Sequence, residues 1–425
     1  APEAVAITQL GGEIQCTFSG AVNAESFNVL RYSTDGSILE TLGPFTGVPF
    51  LLTGLPADQP SWLRVEAVNT IGTALSTDLL AVYPDSNRAD ALIVQGFDRE
   101  SGTTNAHDTA LRHGQALAVN GLTFDCATNE AVASGTVNLE NYGLVDWILG
   151  EEGAGSSTLS LAEQEPVKAY LEAGGRLLIS GSEIGYDLVS QGNAADQAFY
   201  TNYLKAQYIS DAAGGHQGVY TLNGAGILAD LSSFTFDNGS HGAYDVDWPD
   251  GILPVDGAEL CATYSGVDEN ANGAAGIVYR GTFGSSNMEA ALVYLAVGFE
   301  ALYPEGTRNA VMNSILDYLE VVPIIPPGDS TLPAVRFGLT AIYPNPASTT
   351  PFVTFEFKSD SSTAVTLTIY TLLGQRLVHA ELPPEDQLFL WNRRFPDHTP
   401  APSGVYIVNL RQGDRTDSEI FTLLK

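Results

Sequence analysis

Apolar and polar residues alternate in some stretches of this chain and run together in others, and the change of pattern marks its parts. Near the N-terminus, Phe27-Asn28-Val29-Leu30-Arg31-Tyr32 and Trp62-Leu63-Arg64-Val65-Glu66-Ala67-Val68-Asn69 alternate as half-buried strands do, with Asp35-Gly36 as a turn between them. From Ala91-Leu92-Ile93-Val94 onward the apolar runs are short and continuous: Leu144-Val145-Asp146-Trp147-Ile148-Leu149, Arg176-Leu177-Leu178-Ile179-Ser180 and Ala291-Leu292-Val293-Tyr294-Leu295. Such runs predict strands buried on both faces. A helical stretch before Arg176 ends at Gly174-Gly175, and Ser160 with Glu163 has the spacing of a capping box. Pro166 would then fall inside that helix, which moves its expected regular start to near Glu165. A last helix over Thr307–Leu319 sets Val311, Ile315 and Leu319 on one face. Alternation returns in Val353-Thr354-Phe355-Glu356-Phe357 and Val365-Thr366-Leu367-Thr368-Ile369-Tyr370.

Two breaks divide these patterns: the polar connector Tyr83–Arg88 and the run Val321-Val322-Pro323-Ile324-Ile325-Pro326-Pro327. The expected organisation is multidomain: a β-sandwich over 1–84, an α/β domain over 90–320, a Pro-rich linker over 321–335 and a second β-sandwich over 336–425. Strands alternating with helices in the α/β part predict a parallel sheet covered on both sides. A length of 425 residues suits about three domains of ~150 residues each.

Composition narrows the partners. Fifty acids against 18 bases give a formal charge of −32, which repels phosphate backbones and excludes nucleic acid as a partner while favouring divalent cations. Cys16, Cys126 and Cys261 are too few for a disulfide framework, although a Cys126–Cys261 bridge is open in an oxidising compartment. No stretch approaches the ~20 apolar residues of a membrane span, and Ala1 opens no signal peptide, so the numbered chain reads as a mature product whose leader is gone.

Tyr343-Pro344-Asn345-Pro346-Ala347, Leu373-Gly374-Gln375 and Ser403-Gly404-Val405-Tyr406 resemble, in order and spacing, the C-terminal sorting domain of type IX secretion substrates. That resemblance covers roughly 336–425 and implies an immunoglobulin-like β-sandwich, a secreted, cell-surface location and contact with the secretion machinery. Leu52-Thr53-Gly54-Leu55, Asn69 and Gly72 around the Trp62 strand resemble a fibronectin type III domain, with Cys16 or Phe18 where that family commonly has a core tryptophan. The middle part resembles the flavodoxin-like, class I glutamine amidotransferase-like fold, and within it the domains of secreted Bacteroidetes-type proteins labelled xanthan lyase or golvesin-associated. Its matching stretches are Gly96-Phe97-Asp98-Arg99, Val145–Glu152 and Gly174–Gly185.

Ligands of open α/β sheets bind beyond the carboxyl ends of the strands. Here those ends carry Asp98 and Arg99, Glu151 and Glu152, Ser182 and Glu183, and Glu300. Glu183, Glu151 and Asp98 are the candidate catalytic acids, because neighbouring carboxylates can divide general acid from general base. Arg99, Glu152, Ser182 and Glu300 are candidate binding residues; Arg99 with Glu183 is equally readable as a structural ion pair. Amidotransferase relatives hold a cysteine in a G-x-C-x-G elbow, whereas this chain has Gly181-Ser182-Glu183-Ile184-Gly185, which removes thiolate chemistry. Ser182 as a nucleophile would need a histidine in reach, and His107, His113, His216 and His241 fall in stretches read as loops.

Asp268-Glu269-Asn270-Ala271-Asn272-Gly273 matches the first half of a calcium loop, with Asp268, Asn270 and Asn272 as ligands, but Tyr279 stands where the second half needs an acid. A surface turn is the other reading. Asp245–Asp250 is a second acidic loop, and Asp108-Thr109-Ala110 fits a short O-glycosylation pattern. Together these readings favour a secreted binding or assembly protein, an adhesin, surface-array or filament component, with a non-catalytic middle domain. Such a protein requires no cofactor, with calcium the ion its loop would take, and would meet a surface glycan, a protein or its own copies. The alternative is an extracellular hydrolase or lyase of polysaccharide or cell wall.

Overall fold

The computed structural model describes residues 1–10, 13–57, 59–84, 89–100, 103–153, 156–213, 219–231, 233–321, 338–343, 345, 347, 353–358, 364–371, 375–383, 388–394, 399–413 and 415–424. The linker expected over 321–335 lies outside these residues save Val321, as do Leu373-Gly374, His216 and most of the Tyr83–Arg88 connector. The chain forms two compact units, Ala1–Ile324 and Ile325–Lys425.

The centre of the first unit is five parallel strands in the spatial order Phe124–Thr128, Ala91–Gln95, Leu144–Gly150, Arg176–Gly181, Glu289–Leu295. Every residue of Ala91–Gln95 and Leu144–Gly150 is buried, as continuous apolar runs demand. Ile93, Ile148, Leu178 and Val293 point into one hydrophobic cluster, shared with the helices Thr109–Val119 and Glu305–Leu319. Leu92, Val94, Trp147, Ile179 and Leu292 enter the cluster on the other face, with the helices Leu161–Glu172 and Ala194–Tyr203. Val311, Ile315 and Leu319 are all fully buried on the last helix, at the expected spacing.

Helix Leu161–Glu172 begins four residues before the start expected from Pro166. The Glu163 carboxylate accepts the Ser160 N–H at 2.6 Å, so the cap sets the start and the proline is carried inside.

The parallel part is one portion of a thirteen-stranded mixed sheet. Beyond Glu289–Leu295 the sheet continues antiparallel through Gly276–Thr282, Glu259–Tyr264, Thr221–Gly224 and Ser233–Phe236. Short connections, such as that from Thr282 to Glu289, cannot make the long crossover that a parallel pair needs. On the opposite side, Pro2–Leu10 pairs antiparallel with Phe124–Thr128, placing Ala6 opposite Ala127 and Ile7 opposite Cys126.

That pairing carries the sheet into the N-terminal segment through Glu13–Gly20 and Phe50–Leu52. A second sheet, Ile38–Phe45, Ser26–Tyr32, Ser61–Val68 and Thr73–Leu75, with Leu80–Val82 paired to Ser61–Leu63, shares its core. Cys16 is fully buried there, and Phe18 meets Phe27 edge-on at 4.8 Å. Trp62 from this segment stacks 6.4 Å from Phe124 and abuts Gly114 of helix Thr109–Val119. The segments read from the sequence as two domains thus share one sheet edge and one hydrophobic cluster.

The second unit is a pair of antiparallel sheets. One holds Gly338–Tyr343, Val353–Lys358 and Leu388–Trp391; the other holds Arg376–Leu382, Val365–Thr371, Gly404–Gln412 and Arg415–Leu423. Phe355, Phe357, Leu367, Ile369, Trp391 and Phe421 fill the core between them.

Candidate functional site

The order of the parallel strands reverses direction between Ala91–Gln95 and Leu144–Gly150, since the strand after Ala91–Gln95 lies on one side of it and the next lies on the other. A crevice forms at the carboxyl ends on either side of such a reversal. Two glycines shape its rim. The Gly96 N–H donates to Ile148 O at 3.0 Å, and a Cβ on Gly96 would stand 3.1 Å from both that oxygen and Trp147 Nε1. Gly150 turns the neighbouring strand at φ +49, where a Cβ would come 2.3 Å from Phe97 Cδ1.

These turns bring Asp98 and Arg99 beside Glu151 and Glu152. Glu152, 3% exposed, accepts the backbone N–H of Asp98 at 2.9 Å and of Arg99 at 2.7 Å, both on Oε2. Arg99 Nη1 donates to Glu151 O at 2.9 Å and lies 3.2 Å from Glu183 Oε1. The Thr103 hydroxyl donates to Glu151 Oε2. Ser182 is buried, and both its N–H, at 2.8 Å, and its hydroxyl, at 3.3 Å, donate to Gly150 O. Asp98, Arg99, Glu151, Glu152, Ser182 and Glu183 therefore converge, and the three glutamates among them are buried.

Burial governs the titration of this group. It raises Glu151 to about 8, with the Thr103 hydrogen bond opposing it and Asp247 adding to it. Burial likewise raises Glu183 to about 7 against the Arg99 charge, with Asp211 and Asp247 on its side. Glu152 moves up from the carboxylate range for the same reason, restrained by its hydrogen bonds to Ser156 and the loop N–H groups. Asp98 opens to solvent at the crevice edge while its inner side faces protein; that desolvation first, then Glu130, Asp78 and Glu152, pushes it to about 8.

Asp250 holds the elbow from beneath. Its N–H donates to Ser182 O at 2.8 Å, and its Oδ2 accepts the N–H of Gly185 at 2.5 Å and of Tyr186 at 3.2 Å. Complete burial keeps this acid well above its usual range. The loop Asp245–Asp250 is therefore partly a support: the Tyr220 hydroxyl donates to Asp245 Oδ1 at 2.7 Å.

Glu300 does not join the crevice. It lies in the turn Phe299–Ala301, where its Oε2 is 3.1 Å from His113 Nε2 and its Oε1 accepts the Tyr244 hydroxyl at 2.6 Å. His113 is on helix Thr109–Val119, not in a loop, and its Nδ1 lies 2.8 Å from Asp146 Oδ2. Burial alone would lower the His113 pKa; Asp146 and Glu300 on its two sides outweigh that and raise it to about 9. Glu300 is held below its usual value, burial opposing and His113 prevailing. One sequence signal pointed here: an aspartate at position 146 inside an otherwise apolar buried run needs a partner.

Other candidate positions have structural employment. Asp268 caps the short helix Glu269–Asn272 by accepting the Asn270 N–H at 3.1 Å, and Gly273 ends it at φ +89, so Asp268, Asn270 and Asn272 form a helical turn, not an open loop. Cys16, Cys126 and Cys261 are free and buried, leaving no Cys126–Cys261 bridge. Thr109 is buried and its hydroxyl donates to Gln95 Oε1 at 2.6 Å, which removes it as an accessible glycosylation point. No helix among the described residues is long and apolar enough to cross a membrane.

A search of the curated proteins returned no match. Among solved structures, PorZ, a bacterial surface component of the type IX secretion system of Porphyromonas gingivalis, is 22% identical over 20% of this chain and 11% of its own, with a TM-score of 0.18. Latent PorU from Porphyromonas gingivalis aligns with 97% of this chain and 31% of its own at 9% identity and a TM-score of 0.19. The FN1–FN3 domains of chicken CNTN1 align with 100% of this chain and 98% of their own at 8% identity and a TM-score of 0.16. This chain thus spans 11% of PorZ and 31% of PorU. Residues 341–421 match the family of secretion system C-terminal sorting domains. The protein carries a type IX C-terminal sorting domain and is secreted and associated with the cell surface.

Proposed function

We propose that this protein is a cell-surface binding or assembly component, in which a flavodoxin-like, amidotransferase-related α/β part and a fibronectin type III-like N-terminal part act as a non-catalytic scaffold. The observation that carries this reading is the Glu152 carboxylate on the N–H groups of Asp98 and Arg99. Those backbone donors are what the loop after the first strand would otherwise offer a ligand, and an internal side chain already satisfies them. Arg99, bridging Glu151 O and Glu183, covers the same crevice. Serine and glutamate in the elbow supply no thiolate. The test is capture of surface components by the purified chain, with light scattering for self-association; a strict monomer that captures no surface polymer or protein overturns it.

A second reading rests on the placement of Arg99 between Glu151 O and Glu183 Oε1, where burial raises both acids out of the usual carboxylate range. Two such neighbouring acids suit general acid and base work on a glycosidic bond. Glu183→Gln should then abolish turnover on a polysaccharide and peptidoglycan panel with little change in Tm. A wild-type chain inert on that panel removes the reading.

A further inference from the structure

Beside the closed crevice lies an open cleft of about 330 Å³, walled by Pro2–Val5, Ser76–Asp78, Leu80, Asp98, Glu100 and Thr128 with Glu130. It sits at the carboxyl ends of Ala91–Gln95 and Phe124–Thr128, where open α/β sheets take their ligands. Five of its wall residues are acids: Glu3, Asp78, Asp98, Glu100 and Glu130. Among the described residues its basic side chain is His107, whose Nδ1 is 3.1 Å from Asp78 Oδ1, and no lysine or arginine lines it.

A second feature is independent of that charge. Thr128, 4% exposed, stands in the wall, and its hydroxyl has no hydrogen-bond partner among the described residues. Buried hydroxyls are ordinarily satisfied, so this one is available to a ligand or its water.

We propose that this cleft binds an alkylammonium group, the chemistry shared by a lysine side chain and a free diamine. Charge sets the sign of the ligand, and size sets its class. A cleft of about 330 Å³ is far larger than a bare ion fills. Val5 and Leu80 give the methylenes an apolar wall while the ammonium meets the carboxylates. Among the described residues no group of three or more His, Cys, Asp or Glu side chains is arranged to hold a metal ion, which favours the organic cation over a metal. Desolvation first, then the charges of Glu130, Asp78 and Glu152, holds Asp98 above the usual carboxylate range, and a cationic guest offsets those charges. The cleft shares Asp98 with the crevice, but its binding of a cation does not depend on whether that crevice is catalytic.

The experiment is calorimetric titration of the full chain with 1,5-diaminopentane and with a glycyl-lysyl-glycine peptide, each against sodium chloride of equal ionic strength. Saturable binding is expected, weakened about tenfold or more in Asp98→Asn/Glu130→Gln, because charge-assisted contacts are lost. Thermal melting of the variant checks that it folds, and Thr128→Val gives a second, charge-neutral probe that should weaken binding less. Tighter binding of the peptide identifies a protein side chain as the source; tighter binding of the diamine identifies a free polyamine. Amines that bind no better than sodium, amines bound equally by wild type and the double variant, or calcium bound in their place would overturn the proposal. A positive titration with no surface partner captured would leave this site standing and remove the assembly reading.

Discussion

His113 Nδ1 lies 2.8 Å from Asp146 Oδ2 with both side chains fully buried, which ties helix Thr109–Val119 to the centre of the parallel sheet. Glu300 closes the other side of the ring at 3.1 Å, and Tyr244 and Arg112 fasten Glu300 in turn. This buried ionic network lies on the sheet face covered by helices Thr109–Val119 and Glu305–Leu319, opposite helices Leu161–Glu172 and Ala194–Tyr203.

His113→Ala leaves two buried carboxylates without their cation and should destabilise the first unit by about 3–5 kcal/mol in urea unfolding. The pH dependence has a definite sign. The folded pKa, about 9, is above the ordinary histidine value of 6.5, so the His113 contribution is complete below that value and is lost as pH rises through 9. Tm measured from pH 6 to 10 should fall at the alkaline end in the wild type, and less in His113→Ala.

Glu151 titrates in the opposite sense to a stabilising carboxylate. With a folded pKa of about 8 against the ordinary glutamate value of 4.5, its ionisation in place costs stability as pH rises between the two. Glu151→Gln should therefore gain Tm relative to wild type at pH 8 to 9 and show little difference near pH 4.5. An equal difference at both ends would refute this assignment.

Glu152→Ala removes the acceptor of two backbone N–H groups. About 1–3 kcal/mol of destabilisation is expected for each donor left unsatisfied, reduced where water enters. Hydrogen exchange at the Asp98 and Arg99 amides should accelerate, and Glu152→Gln, which keeps one acceptor oxygen, should be milder.

Gly114→Ala tests how the N-terminal segment packs on the α/β part. Alanine is the better helix former by ~1 kcal/mol, yet its Cβ would stand 2.8 Å from Phe124 Cζ and 2.9 Å from Trp62 Cζ3. The clash should prevail, lowering Tm and exposing the 1–84 segment to limited proteolysis; a higher Tm would show that Trp62 yields readily.

The particular residues show where sequence reading stops. Ala91–Gln95, Leu144–Gly150 and Arg176–Gly181 were legible because each is a continuous apolar run bounded by turn residues. The site residues after Gly96, Gly150 and Gly181 were legible because carboxyl ends of such strands carry ligands by topology. His113 was not, because its stretch was read as a loop and its partners lie 33 and 187 residues away. Asp250 was not, because nothing local distinguishes a surface aspartate from one buried under an elbow.

Sequence by itself determined the address, since the 341–421 motifs are local and turn-bound, and it determined the strands whose apolar runs or alternation are clear, such as Ala91–Gln95 and Leu144–Gly150, since periodicity follows from the backbone's own repeat. Tertiary structure alone decided that Pro2–Leu10 joins the central sheet, that Glu300 turns inward to His113 and that Glu152 closes its own crevice. Those outcomes depend on which distant groups compete for the same hydrogen bonds and the same buried space, and that competition is settled only once the chain is packed.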